Sequence, residues 1–164
     1  MIPSAGVFMV LTLIVAPGVL TNASSVLALN TANRFGRVVD RSRALAEELR
    51  QLAPTDPLHP IRVQQLARLR VRALLLMRAQ SASYAALGCF VATAMFAIIG
   101  ALLAQAGLPL TQAMGALALG TGAVATGCIL TATTLLVRET RLALTGLRED
   151  LSPFGEPLPA ELRP

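Results

Sequence analysis

The chain has no lysine, one histidine and two cysteines among its 164 residues. The scarcity of ligands argues against a metal centre, because His59, Cys89 and Cys128 stand far apart with no ligand spacing. His59 lies among prolines and reads as a solvated turn residue. Each cysteine falls inside an apolar run; the two can in principle pair, but buried cysteines usually behave as small hydrophobes. Arginine-only basic usage with abundant alanine resembles the usage of a high-GC bacterial genome. Charge is also scarce: 14% of residues are charged against 54% hydrophobic, the reverse of a disordered or nucleic-acid-binding chain.

Charge is absent altogether from three runs, residues 5–29, 82–104 and 113–137. Each exceeds the ~20 residues needed to cross a bilayer. No carboxylate lies within them, so the intramembrane acid of a proton-coupled transporter is missing. There is no Gly-rich phosphate loop, no G-x-S-x-G and no H-E-x-x-H. No enzyme and no cofactor are expected. Residues 1–29 lack the basic start of a cleavable signal and read as a first span that stays in place.

The charge that is present is unevenly placed. The formal net charge is +5, and ten of the fourteen arginines lie between Arg34 and Arg78. Arg138, Arg141 and Arg148 follow the third run, whereas residues 105–112 carry no charge. This is the asymmetry of the positive-inside rule. It predicts a bacterial inner-membrane protein with residues 34–78 and the C-terminus in the cytoplasm, and the N-terminus and the 105–112 loop outside. Attraction to anionic lipid headgroups follows from the same residues. Nucleic acid is not an expected partner, because no groove-reading motif or aromatic platform is present.

The pattern predicts long helices. Pro17-Gly18 should kink the first span, with Thr12, Thr21, Ser24 and Ser25 available to the freed backbone groups. Beyond residue 29 the helix continues, with Val38, Leu45, Leu49 and Leu52 in an approximately heptad-spaced stripe. Glu47 can pair with Arg43 or Arg50 along it. Pro54, Pro57 and Pro60 break the chain, and Pro60 suits the first turn of a second helix. That helix places Leu66, Leu69, Ala73 and Leu76 on one face and Gln65, Arg68 and Arg72 on another. Residues 30–80 therefore form an antiparallel helical hairpin continuous with the first two spans. Gly107 and Pro109 mark the loop to the third span, and residues 152–164, with four prolines, read as a loose tail. The fold class is all-α: one membrane domain, residues 1–151, of three transmembrane helices and a cytoplasmic hairpin.

Three sets of residues stand out. Asn22, Asn33 and Asp40 project within about 20° of one another on a helix, flanked by Asn30 and Arg37, in a polar stripe about 27 Å long. Such residues serve as interhelical hydrogen-bond partners, or line an aqueous path in a ring of subunits. Arg34, Arg41, Arg43, Arg68, Arg72 and Arg78 are candidates for lipid headgroups or a partner, and Asp40 neutralises part of the first cluster. Gly115, Gly120, Gly122 and Gly127 on the third span are candidates for close helix packing, within the chain or between subunits; Ala118/Gly122 and Ala123/Gly127 form small-xxx-small pairs. Leu144, Leu147 and Leu151 share a face further on.

Pro17, the Asn33-Arg34 step, Val38-Val39-Asp40-Arg41-Ser42-Arg43 and the arginines from Arg68 to Arg78 together resemble the domain of unknown function 2721 family over residues 2–150. The resemblance implies a first span carrying a proline, an arginine-rich helix and two further spans. It implies no activity. The expected function is a non-catalytic scaffold or accessory subunit of a membrane assembly, self-associating or joined to other membrane subunits. The alternatives are a homo-oligomeric ion channel with the first helix lining the pore, and a regulator whose hairpin docks a cytoplasmic partner.

Overall fold

The computed structural model describes the backbone of residues 4–151 and the side chains of Val15 and of residues 18–146. The 152–164 tail and the side chains of Leu147, Arg148 and Leu151 lie outside the described residues. Three helices account for almost all of it: α1 (Ser4–Gln51), α2 (His59–Gln105) and α3 (Thr111–Leu151). At 1.5 Å per residue they are about 60–70 Å long, roughly twice the thickness of a bilayer's hydrocarbon core.

The breaks fall where the backbone chemistry puts them. α1 ends at Gln51, just before the proline cluster. The Asp56 carboxylate accepts the Leu58 amide at 2.8 Å, and Pro60 sits in the first turn of α2. α2 ends in a Schellman arrangement: Gly107 adopts φ 69°, its N–H bonds to the Ala104 carbonyl, and the Leu108 N–H bonds to Leu103. Only a glycine takes that conformation without strain. α1 runs without a break through Pro17. Ser24 and Ser25 give their hydroxyls to Leu20 and Thr21 in the preceding turn, not to the carbonyl that Pro17 frees.

α2 is the central helix and packs against both α1 and α3. Its buried residues include Leu76, Ala79, Ser83, Ala86 and Phe90, alternating steps of three and four. On α1 the buried set is Ser24, Ala28, Thr31, Val38 and Leu45; on α3 it is Ala125, Ala132 and Glu139, seven apart. This is the seven-residue register of helices packed nearly parallel or antiparallel to one another. Small residues at these positions let the backbones approach: a Cβ on Gly100 would lie 3.2 Å from the Met114 Cβ. Buried hydroxyls are satisfied within their own helix, Thr31 on the Leu27 carbonyl at 2.7 Å and Ser83 on Ala79 at 3.0 Å. Cys89 and Cys128 are free thiols packed against Ala86, Phe90 and Ala125.

Outside these seams the apolar runs of α2 and α3 are bare. Val91, Met95 and Leu102 of α2, and Leu119, Val124 and Leu130 of α3, are all exposed. Among the described residues, α2 and α3 are long and apolar enough to cross a membrane, and their most apolar windows are only 22% and 6% buried within the chain. A core helix of a soluble protein would be mostly covered. Bare apolar surface of this extent suits a membrane or a protein partner that covers it.

Candidate functional site

The seven-residue register that places Ala125 and Ala132 against α2 places Glu139 there one step later. A carboxylate cannot sit in that seam without compensation. It has two cationic partners. The Arg72 guanidinium, on α2, donates to Glu139 Oε1 through Nε at 2.9 Å and lies within 2.8 Å of it through Nη2. The Arg34 guanidinium, on α1, donates through Nη2 to Glu139 Oε2 and to Thr140 Oγ1, the latter at 3.0 Å. The Glu139 side chain is 1% exposed, those of Arg34 and Arg72 36% and 27%. Both carboxylate oxygens are thus engaged, and one acid on α3 binds all three helices together at one level.

Two clefts open around this triad. One, of about 210 Å³, is lined by Arg34, Arg37, Val38, Arg41, Leu69, Arg72 and Glu139. The second, of about 270 Å³, shares Arg41, Leu69 and Arg72 and adds Arg68, Leu45 and residues of α3. Four guanidinium groups face one carboxylate in the first cleft. The polar face of α2 that carries Gln65, Arg68 and Arg72 is therefore turned towards α3, half-buried, and not simply towards solvent. A third opening, of about 290 Å³, lies further along α1 and α3 and is apolar, lined by Leu20, Leu27, Phe90 and Ile129 among others.

The residues singled out from the sequence divide accordingly. Arg34 and Arg72 meet at Glu139, and Arg41 and Arg68 line the clefts beside them. Arg43 and Arg78 are exposed and line neither cleft. Asn22, Asn30, Asn33, Arg37 and Asp40 are all exposed, so the polar stripe runs along the outside of the single chain, with Arg37 at the edge of the first cleft. Of the four glycines, only Gly122 faces a neighbour: a Cβ there would lie 3.6 Å from the Thr93 side chain. Gly115, Gly120 and Gly127 face open space. On the hairpin, Val38 and Leu45 are buried and Leu49 and Leu52 half-buried, whereas Leu144 is exposed. Glu47 pairs with Arg50 at 3.1 Å, an exposed contact.

Glu139 was not among the sequence candidates. The signal for it is its spacing, fourteen residues after Ala125 and seven after Ala132, together with its being the first acid beyond the third apolar run. Among the described residues there is no cluster of metal-ligating side chains. Arginines around a buried carboxylate can hold helices in register and can bind an anion.

No curated protein and no solved structure matches the chain. The family described as protein of unknown function DUF2721 matches residues 14–149, a span that takes in the triad and most of all three helices, and the chain belongs to that family.

Proposed function

We propose that this protein is a non-catalytic, three-span protein of the bacterial inner membrane, acting as an oligomeric scaffold or as an accessory subunit of a membrane assembly. α1 is the third span: its Leu20, Ser24 and Leu27 lie beside Phe90, Thr126 and Ile129, where α2 and α3 are apolar. The arginine-rich ends of the helices then lie in the cytoplasm and the N-terminus outside, as the charge asymmetry requires.

One observation carries the reading. Asn22 and Asn30 are exposed on the outer face of α1, within or at the edge of its apolar run. An amide facing hydrocarbon without a partner is costly. Since nothing among the described residues covers them, a second copy, another subunit or water is their natural cover. A subunit interface is the simplest cover, and the exposed glycines of α3 supply a second close-packing surface.

The channel is the second reading, favoured by the continuation of the stripe through Asn33, Arg37 and Asp40 on the same exposed face. Native mass spectrometry from nanodiscs distinguishes the readings. A complex of two or more chains, dissociated by Asn22→Leu with Asn30→Leu, supports the scaffold. A ring of four or more whose conductance those replacements change supports the channel. A stable monomer contradicts both homo-oligomeric forms.

A further inference from the structure

We propose that the arginine cleft and the apolar groove further along the bundle form one binding site for an anionic glycerophospholipid. Its phosphate sits among Arg37, Arg41 and Arg72, and one acyl chain lies between α1 and α3. The proposal rests on the membrane reading above and adds a specific ligand to it.

The charge on the cleft points to an anion. Arg34 and Arg72 are engaged by Glu139, but Arg37 and Arg41 make no ion pair among the described residues. They are four apart on α1, so they project from one face of the helix into the same opening. Arg72 uses Nε and Nη2 on Glu139, which leaves Nη1 to donate elsewhere. Glu139 is a positioning residue here. It cancels one charge and fixes two guanidinium groups, and the remaining surplus suits a phosphate.

Register ties the cleft to the groove. Leu27, Arg34 and Arg41 follow one another at seven-residue steps on α1, and Leu69 and Phe90 are three such steps apart on α2. Both openings therefore lie on the same side of the bundle, in the furrow between α1 and α3 over α2. From Ser24 to Arg37 is thirteen residues, about 20 Å along the helix. That is about half the thickness of a bilayer with its headgroups, the reach of one lipid in one leaflet. The lipid passes outside the Arg34–Glu139 bridge, which joins α1 to α3 between the two openings.

The test uses the full chain in detergent micelles with added phosphatidylglycerol or phosphatidylcholine, read by native mass spectrometry. One phosphatidylglycerol per chain should be retained, at least about tenfold in preference to phosphatidylcholine. Arg37→Gln with Arg41→Gln should lower that retention about tenfold without changing the melting temperature, and Arg43→Gln should not. Leu27→Trp should lower it by filling the groove. Equal retention of phosphatidylcholine, or no effect of the double replacement, overturns the proposal. So does displacement of the lipid by millimolar inorganic phosphate, which would make the cleft a site for free phosphate. Alkaline extraction of the source membranes separates the two levels. A chain released from the membrane contradicts the reading on which the site rests; an embedded chain without lipid preference contradicts the site alone.

Discussion

The seam between α2 and α3 solves the same packing problem in two ways. Where the helices are apolar, Ala125 and Ala132 fill it against the side of α2 that carries Ala86 and Phe90. One step further, at the same register, Glu139 fills it and draws in Arg72 and Arg34. The first solution needs only small side chains and close backbones, and it joins two helices. The second needs charge compensation, and it joins three. In hydrocarbon there is no hydrophobic drive between helices, so close contact does the holding. Beyond the apolar stretch, an ion cluster adds what small residues cannot: a link between α1 and α3, which otherwise touch little.

Either half of the seam can be disrupted separately. The largest effect is expected from Arg34→Met with Arg72→Met, which strands the buried Glu139 carboxylate and should destabilise the bundle by about 3–5 kcal/mol. Thermal unfolding in nanodiscs measures it. Adding Glu139→Met should restore most of the loss, because an apolar triad of similar volume is often as stable. In the apolar half, Ala125→Leu should cost about 1–3 kcal/mol by overpacking a fully buried position, read in the same assay. On the outer face of α3, Gly127→Ala should instead stabilise the helix by up to about 1 kcal/mol, since a Cβ there meets nothing. A loss of stability there would place Gly127 in a subunit contact. The smallest effect is expected at the Thr93–Thr121 hydroxyl pair, 2.9 Å apart; Thr93→Val should cost about 0.6 kcal/mol.

The same contrast explains what could be read in advance. The helices, the proline break before Pro60 and the Gly107 turn follow from local chemistry, and the structure has them. So does the inward stripe of Val38 and Leu45, because apolar spacing on a charged helix has only one face to bury. On α3 every face is made of Ala, Gly, Thr and Leu. Ala118/Gly122 and Ala123/Gly127 are equally good pairs by spacing, and only packing against α2, at Thr93, Ala86 and Phe90, picks the side that carries Gly122 and Ala125. Glu139 was hidden for a different reason. Its partners are 105 and 67 residues away, and an acid among the exposed arginines Arg138 and Arg141 looks solvated until the register is followed. Arg72 lies on the face of α2 away from its apolar stripe, and spacing alone does not show that α3 covers that face.

Glu139 and Arg34 act on each other, as the link that binds α1 to α3. A double-mutant cycle of Arg34→Gln and Glu139→Gln, by thermal unfolding of the nanodisc-embedded chain, tests it most directly. The double replacement should cost less than the sum of the single ones by at least about 1 kcal/mol. Costs that add to within about 0.3–0.5 kcal/mol would contradict it, and α1 would then be held by its seam with α2 alone.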